Sequence, residues 1–467
     1  MDPARAAGAR DDVRPPGPPA AGAPTRPDGG AGGRPRLRAQ LEALPVARDE
    51  GEPLYLLRDP WRLSERQLTV SLPALLLAGL LDGTRTLAEV QAEALRRHGG
   101  LVPLDALEEL VAALEGALLL DGPHLARAVA AFRADPVRPA ACVGSYPGEP
   151  AALRAFLDAQ WTREGGPGAP PARPGERADA PAPAPVRGVI SPHIDLHRGG
   201  HAYARAWRPV AEDCPAELFV VFGTSHTGTA PLEGGRGPAP RFALTRKDFA
   251  TPLGVVPCDR EAVDRLVAAY AGDDDLFAGE PHHRGEHSIE FQAVWLAHLF
   301  GGRRPVRLLP VLCGGLDDLA GAPGDDPRLA AFHEALARAL APLAPERVAF
   351  VAGIDLAHVG AQFHGPPVDE AALARVERAD RETLRRALDL RCTAAVHEDL
   401  AAAGEARSVC GHAPLVSLLL ALERAPTRGA WRGELTTWDR WWDGASAVSF
   451  AGAVFRDVSE PPPSART

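Results

Sequence analysis

Short, continuously apolar segments alternate with amphipathic helices along much of this chain, and this alternation is the feature that most restricts its fold. Strands are predicted at 188–190, 217–223, 305–313, 347–353 and 447–455, and helices at about 260–271, 287–300, 327–342, 368–402 and 414–423. Apolar strands separated by amphipathic helices are typical of a mostly parallel sheet that is covered by helices on both faces. The sequence therefore predicts an α/β fold.

The segment 37–133 has a different pattern, which predicts a small winged-helix-like α+β module. Strands are predicted in PLYLLRD and RQLTVSL, and two helices follow them. Thr86 and Glu89 have the spacing of a capping box at the start of the first helix, and Gly99 marks its end. Disordered tails are predicted at 1–36 and 459–467, and a flexible Pro/Ala-rich loop at 162–186, because these segments have little apolar surface to bury.

Composition excludes several classes of protein. The net charge is -10, with 61 acidic and 51 basic residues, so the chain lacks the basic surface that nucleic acids and anionic membranes require. No apolar run approaches the roughly 18 residues of a membrane-spanning helix, and the amino terminus has no apolar signal region. The six cysteines form no CxxC pair, which favours a reducing compartment. We expect a cytoplasmic protein that binds neither nucleic acid nor membrane.

Three of the predicted strands end in residues that can carry chemistry. His193 follows GVISP, His226 lies in VVFGTSHTG, and Asp355 and His358 lie in VAFVAGIDLAHVG. The carboxyl ends of parallel strands meet at one edge of a sheet, so these side chains are expected to converge. If the segment after Gly353 turns helically, Asp355 shares a face with His358 and can orient its imidazole.

Cys410 precedes a helix that is predicted to begin near Pro414. Backbone N–H groups at a helix start lower the pKa of a nearby thiol, and the thiolate is the form that binds metals or attacks substrates. The alternative is an inert, buried cysteine at a helix start.

The run HIDLH offers a second arrangement of ligands. In an extended strand, His193, Asp195 and His197 would point to one face and could hold a zinc ion, with His358 as a proton shuttle for hydrolysis. This metallohydrolase hypothesis competes with a site that is assembled from separate strand ends.

The run GEHSIEF opens another predicted helix. Ser288 is predicted to cap it, which leaves Glu286, His287 and Glu290 around the first turn. Acidic residues there either complement the helix dipole or support a neighbouring site. The adjacent histidines at 282 and 283 lie in a polar loop, and no role is predicted for them.

The chain carries five motifs in one order, PHIDL, GTSH, EHSIE, GIDLAH and CGHAP. On these motifs, the region from about Arg138 to Asp457 resembles the Memo family, protein B of the AmmeMemoRadiSam system. The resemblance extends to the lead-in RPAACVGSYP and to FATPLG. The resemblance implies a domain at 138–458 with the fold of class III extradiol dioxygenases. It implies a redox-linked enzyme that holds a metal ion, iron or copper with zinc also compatible, and acts on an unidentified small-molecule substrate. It implies that the metal ligands are His193, His226 and Cys410. It further implies that Asp355 and His358 line the pocket, with His358 as catalytic acid/base.

Two departures bear on this resemblance. A thiolate replaces the carboxylate of iron dioxygenases, which favours softer ions and argues against ring cleavage. Asp195 stands where the family motif His-Ala-Gly-Tyr has a glycine, so it can add a ligand or accept an imidazole N–H. With Glu286, His287 and His412, it forms the predicted outer set of the site.

The stretch LLDGTRTLAEV resembles PqqD-like domains, which recognise peptides beside radical-SAM enzymes. Together with the resemblance to protein B of the AmmeMemoRadiSam system, it implies a radical-SAM protein and an AMMECR-type protein as partners. It also leaves open a third hypothesis, a non-enzymatic scaffold that retains the pocket.

Overall fold

The computed structural model describes residues 33–46, 52–171, 184–231, 239–424 and 431–458. The predicted tail at 1–36 (apart from 33–36), the tail at 459–467 and residues 172–183 of the predicted loop lie outside the described residues. Within the described part of the chain the strands are β1 (Arg36–Leu37), β2 (Glu42–Val46), β3 (Leu54–Arg58), β4 (Leu68–Ser71), β5 (Leu120–Asp121), β6 (Val137–Arg138), β7 (Val186–Ser191), β8 (Leu218–Thr224), β9 (Phe242–Leu244), β10 (Asp248–Thr251), β11 (Gly254–Val256), β12 (Arg307–Cys313), β13 (Val348–Gly353), β14 (His358–Gly360), β15 (Trp431–Trp442) and β16 (Ser446–Asp457).

The helices in the same described ranges are α1 (Leu72–Ala78), α2 (Leu87–His98), α3 (Leu104–Gly116), α4 (Pro123–Ala134), α5 (Pro150–Thr162), α6 (Leu196–Asp213), α7 (Arg260–Ala269), α8 (Glu290–Phe300), α9 (Pro327–Leu340), α10 (Glu370–Leu388), α11 (Thr393–Ala403) and α12 (His412–Arg424). None of these helices combines the length and the apolar character needed to cross a membrane.

The described residues form two compact units. The first comprises the described part of Met1–Leu37 and Pro73–Ala113, and the second comprises the described parts of Arg38–Leu72 and Leu114–Thr467. In the first unit, α2 begins with the predicted capping box of Thr86 and Glu89 and ends at Gly99, which has a φ of 74°. Strands β2, β3 and β4 form an antiparallel sheet that belongs to the second unit. The winged-helix-like module therefore stays a prediction.

The second unit contains an eight-stranded mixed sheet of order β14-β16-β7-β13-β8-β12-β9, with β15 paired to β16. Its centre is parallel, because β13 pairs in parallel with β7 and β8, and β8 does so with β12. Strands β9, β14, β15 and β16 add to it in antiparallel fashion. The α/β class is confirmed, but the expectation of a mostly parallel sheet is wrong. A strand such as β16, buried at its first ten positions, gives the same apolar run in either direction.

Helices cover both faces of this sheet. Along β8, Val220 and Phe222 pack into a core that includes residues of α7, α9 and α12, whereas Phe219 and Val221 pack into a second core with α6 and α8. This alternation follows from the two-residue period of a strand. Because the helices cover the two faces, the carboxyl edge of the four central strands, β7, β13, β8 and β12, is left for loops.

Candidate metal centre

Three potential ligands converge at the carboxyl edge of the central strands. His193 follows β7, His226 follows β8, and Cys410 lies in the turn before α12. One ligand atom from each lies within 4.8 Å of the other two. Metal–ligand bonds of roughly 2.0 to 2.3 Å require ligand atoms within about 5 Å of one another, so the separations suit a bound ion.

Backbone contacts bring Cys410 to the strand ends. The Thr224 hydroxyl donates to the Cys410 carbonyl at 2.9 Å, and the Gly411 amide donates to the Asp355 carbonyl at 3.2 Å. A Cβ atom at position 411 would come within 2.5 Å of the Asp355 oxygen and of Ile354 Cβ. Glycine after the cysteine therefore allows the close approach of this turn.

The orientation of His193 leaves its Nε2 atom facing the thiol. Its Nδ1 lies 2.9 Å from the Gly353 carbonyl, which can only accept, so Nδ1 carries the proton. Its Nε2 lies 3.1 Å from the Cys410 sulfur. The side chain is buried, and this burial is the main reason why the pKa of His193 is well below its usual value. A neutral imidazole with a fixed tautomer is the form that binds metals.

His226 is oriented by a carboxylate. Its Nδ1 lies 3.1 Å from both carboxylate oxygens of Glu286, which leaves Nε2 for Cys410. Burial lowers the pKa of His226, but Glu286 and a hydrogen bond with Cys410 outweigh it, so this pKa lies well above its usual value. Glu286 also accepts the backbone N–H groups of His226, His287 and Ser288 at 3.0, 2.8 and 3.0 Å. Burial raises the pKa of Glu286, but His226 and these N–H groups outweigh it, so the carboxyl pKa lies well below its usual value. Glu286 is thus placed where an outer carboxylate partner of a histidine ligand belongs.

The expectation of a lowered thiol pKa at Cys410 is wrong. Burial raises the pKa of this thiol above its usual value, and contact with His226 opposes the rise only in part. Cys410 lies two residues before α12 begins, and desolvation dominates over any effect of the helix end. A bound cation is what would stabilise the thiolate here.

Asp355 and His358 both line the cleft, but they do not share a helical face. Residues 354–357 are irregular, and His358 begins β14, where its Nδ1 lies 3.2 Å from the Leu356 carbonyl. Asp355 instead accepts the backbone N–H of His193 at 3.0 Å. Burial raises the pKa of Asp355 to about 7 and lowers that of His358 to about 4. The predicted orientation of His358 by Asp355 is therefore wrong, because the chain turns into a strand.

Asp195 caps a helix. Its carboxylate accepts the backbone N–H groups of His197 and Arg198, both at 3.1 Å, at the start of α6, and it also pairs with the Arg198 guanidinium. His197 lies in the first turn of α6, with its ring 4.9 Å from that of Phe156. The hydrolase hypothesis needs HIDLH to be an extended strand. That expectation is wrong, because Asp195 caps a helix that begins at the next residue.

The other two predicted outer residues lie in different surroundings. His287 stacks on His226 with ring centroids 4.6 Å apart, and it forms with His226 and Glu286 a second group whose ligand atoms lie within 4.8 Å. His412 is 2.9 Å from the ring of His397, which is its hydrogen-bond partner. Of these two, His287 is the neighbour of the candidate centre.

Several residues near the site escaped prediction. His282 and His283 are each 1% exposed, so they do not lie in a polar loop. Ser288 donates to the Thr224 carbonyl at 2.9 Å and does not cap α8, whose N-cap is Ile289. Glu290 is fully buried and pairs with Arg138. The sequence signal for these residues is the density of polar side chains in PHHRGEHSIE. A surface loop accounts for that density as well as a buried polar cluster does.

The candidate centre opens into a cleft of about 700 Å³. Its lining includes His193, Asp195, His226, Asp355 and His358. A neighbouring cavity of about 640 Å³ shares His226, Gly285, His287 and Arg62 with it. These volumes suit a small molecule.

Known proteins are similar to this chain over about two thirds of its length. The family model for Memo-like proteins matches residues 138–454. A MEMO1 family protein of Methanopyrus kandleri is 30% identical over 68% of this chain and 98% of its own length. Those of Aquifex aeolicus and Thermus thermophilus are 25% and 29% identical over 67% and 65% of this chain, and 74% and 80% of their own lengths. The chain belongs to the Memo family.

Proposed function

We propose that this protein is a redox-linked metalloenzyme with a dioxygenase-like fold, which binds one metal ion through His193, His226 and Cys410 and acts on a small molecule. The observation that carries the proposal is that each imidazole has its Nδ1 held by an acceptor while the three ligand atoms lie within 4.8 Å of one another. A histidine whose second nitrogen is fixed in this way is a typical metal ligand.

The donor set fits a soft or borderline ion. Two imidazoles and one thiolate suit copper or iron, and zinc is also compatible. Such an ion, when bound, supplies Lewis acidity and, for iron or copper, one-electron chemistry. The ion also favours the thiolate of Cys410, whose pKa burial otherwise raises.

Residues of the chain supply the remaining functions of the site. Glu286 and the Gly353 carbonyl hold the two imidazoles. His358 faces the same cleft, and because burial lowers its pKa to about 4, it is neutral near pH 7 and can accept a proton from a bound substrate. We propose His358 as the catalytic base, and Asp355 as the residue that fixes the backbone of His193.

The wider setting of the protein is proposed from the sequence: the location from its cysteines and amino terminus, and the partners and the module from the resemblance. It comprises a cytoplasmic location, partnership with a radical-SAM protein and an AMMECR-type protein, and a PqqD-like module at 37–133. The elemental content of purified variants tests the centre itself. We expect about one metal ion per chain in the wild type, in His197→Ala and in the exposed-cysteine control Cys392→Ala, and loss of the metal in Cys410→Ala.

Two outcomes would contradict this proposal. If Cys410→Ala keeps its metal and His197→Ala loses it, the ligands are those of the hydrolase hypothesis. If wild-type protein that is handled anaerobically under reducing conditions contains no metal and takes none up, the pocket belongs to a non-enzymatic scaffold.

A further inference from the structure

A loop that precedes the family region forms part of the wall of the cleft. Residues 59–67 connect β3 to β4 and lie in the same compact unit as the candidate centre, although the Memo family match starts only at residue 138. We name these residues the Arg62 loop. Asp59 organises it by accepting the backbone N–H groups of Trp61, Leu63 and Ser64 at 3.0, 2.8 and 3.3 Å. The carboxylate also pairs with Arg38 at 3.1 Å, and both side chains are almost fully buried.

Trp61 anchors this loop to the strand end that carries His226. Its side chain is 1% exposed, and its Nε1–H donates to His282 Nδ1 at 3.0 Å. The Thr227 hydroxyl lies 2.7 Å from the same nitrogen, and Thr227 directly follows His226. Arg38 lies over the Trp61 ring, 4.1 Å from its centroid. The loop is therefore fixed by buried, directional contacts.

The backbone of the loop also packs on the residue before Glu286. A Cβ atom at Gly285 would come within 2.7 Å of the Pro60 carbonyl oxygen and 2.9 Å of the Trp61 carbonyl carbon. Only glycine allows this approach. The Arg62 loop thus lies directly against the segment that supplies Glu286 and His287.

These contacts hold Arg62 at the cleft. Its φ is 54°, a left-handed conformation that is strained for a residue with a side chain. Arg62 lines both cavities together with His226 and His287.

Arg62 has no partner for its charge in the described part of the chain, where its guanidinium makes no hydrogen bond or ion pair. Of the other arginines that line the two cavities, Arg58 pairs with Glu42 and Arg198 pairs with Asp195. Arg284 lines only the neighbouring cavity, where it adds a second positive charge beside Arg62. A strained, well-anchored position with an unpaired charge at the cleft is the arrangement expected of a residue that binds an anion.

We infer that Arg62 is a specificity-determining residue, which binds an anionic group, a carboxylate or a phosphate, on the small molecule that enters the cleft. The placement of that molecule's reacting part at the His193, His226 and Cys410 centre rests on the proposed function. The binding of the anion to Arg62 does not.

Ligand-observed NMR on the full-length protein tests the inference with two probes, inorganic phosphate by ³¹P line broadening and succinate by saturation transfer. The variants are Arg62→Met, Arg62→Lys and Arg66→Met, which removes a charge from the same loop at a residue outside the lining of either cavity. We expect Arg62→Met to weaken binding of at least one probe by about 10- to 100-fold, as for loss of a charged hydrogen bond. Arg62→Lys should lose less, and Arg66→Met should bind as the wild type does. The probe that binds more tightly identifies the anionic group.

Trp61→Phe gives a second, independent variant. It keeps the charge of Arg62 but removes the bond to His282, so it should also weaken binding. Undiminished binding in Arg62→Met, an equal loss in Arg66→Met, or no binding of either probe to the wild type would overturn the inference. Metal content is measured in every sample, so a protein without metal refutes the proposed function while the comparison of Arg62 with Arg66 still reports on anion binding.

Discussion

Replacing Glu286 by glutamine isolates the contribution of the carboxylate that orients His226. The substitution keeps the shape of the side chain and one accepting oxygen. It removes the negative charge and places an NH₂ group opposite donors, because the carboxylate accepts the His226 ring N–H and three backbone N–H groups. The ligand His226 itself remains.

The size of the effect follows from two estimates that agree. Loss of a charge-assisted hydrogen bond costs about 1.5 to 3 kcal/mol. Substitution of a residue that supports a metal ligand usually lowers metal affinity by about 10- to 100-fold, which corresponds to about 1.4 to 2.7 kcal/mol. We therefore expect Glu286→Gln to weaken metal binding by about 2 kcal/mol.

Competition with a chromophoric chelator measures this affinity, and Glu290→Gln is the matched control. Glu290 is equally buried, but it pairs with Arg138 and accepts the backbone N–H groups of Ala141 and Cys142. Glu290→Gln removes the negative charge and leaves the buried Arg138 without an ionic partner, which costs about 3 to 5 kcal/mol of stability. It should leave metal affinity within about twofold of wild type. Wild-type affinity in Glu286→Gln, or equal losses in both variants, would refute the assigned role of Glu286.

Three other predictions concern residues around the centre. Gly353→Ala should lower the free energy of unfolding by about 1 to 3 kcal/mol in urea titrations, because a Cβ there would meet the Ser288 carbonyl at 2.6 Å. His358→Gln should keep the metal stoichiometry of wild type in elemental analysis while it removes the proposed base; loss of the metal would show His358 to be a ligand. Burial lowers the pKa of His333 to about 4, below the value of about 6.5 in an unfolded chain, so unfolding takes up a proton between these values and stability falls as pH drops through that window. Between pH 7.5 and pH 5, the free energy of unfolding of His333→Gln should therefore fall by about 2 kcal/mol less than that of the wild type. Urea titrations at the two pH values measure this difference, and an equal fall in both proteins would contradict the lowered pKa of His333.

Local patterns predicted the parallel centre of the sheet well. The apolar runs that end in His193 and His226 correspond to β7 and β8, and the capping box of Thr86 and Glu89 has the predicted geometry. These features depend on neighbouring residues and on burial, which a sequence displays directly. Strand direction depends on distant partners, so the sequence does not distinguish the antiparallel β16 from a parallel strand, and it predicts no strand at β14 or β15.

The same limit applies to the candidate site. The convergence of His193, His226 and Cys410 was expected from the Memo resemblance, and their positions at strand and helix ends were expected from the chain itself. The role of Asp195 as a helix cap was missed, because a carboxylate before LHRGG suits a ligand and a cap equally well. The approach of the Arg62 loop was also missed, since the contact between Trp61 and His282 joins residues 221 positions apart.

X-ray absorption at the edge of the bound metal tests the central claim most directly. We predict that wild-type protein gives one sulfur neighbour at about 2.3 Å together with nitrogen neighbours at about 2.0 to 2.1 Å, as for zinc bound by cysteine and histidine. The sulfur shell should disappear in Cys410→Ser. A wild-type spectrum without sulfur, or a sulfur shell that survives in Cys410→Ser, would contradict a centre built from His193, His226 and Cys410.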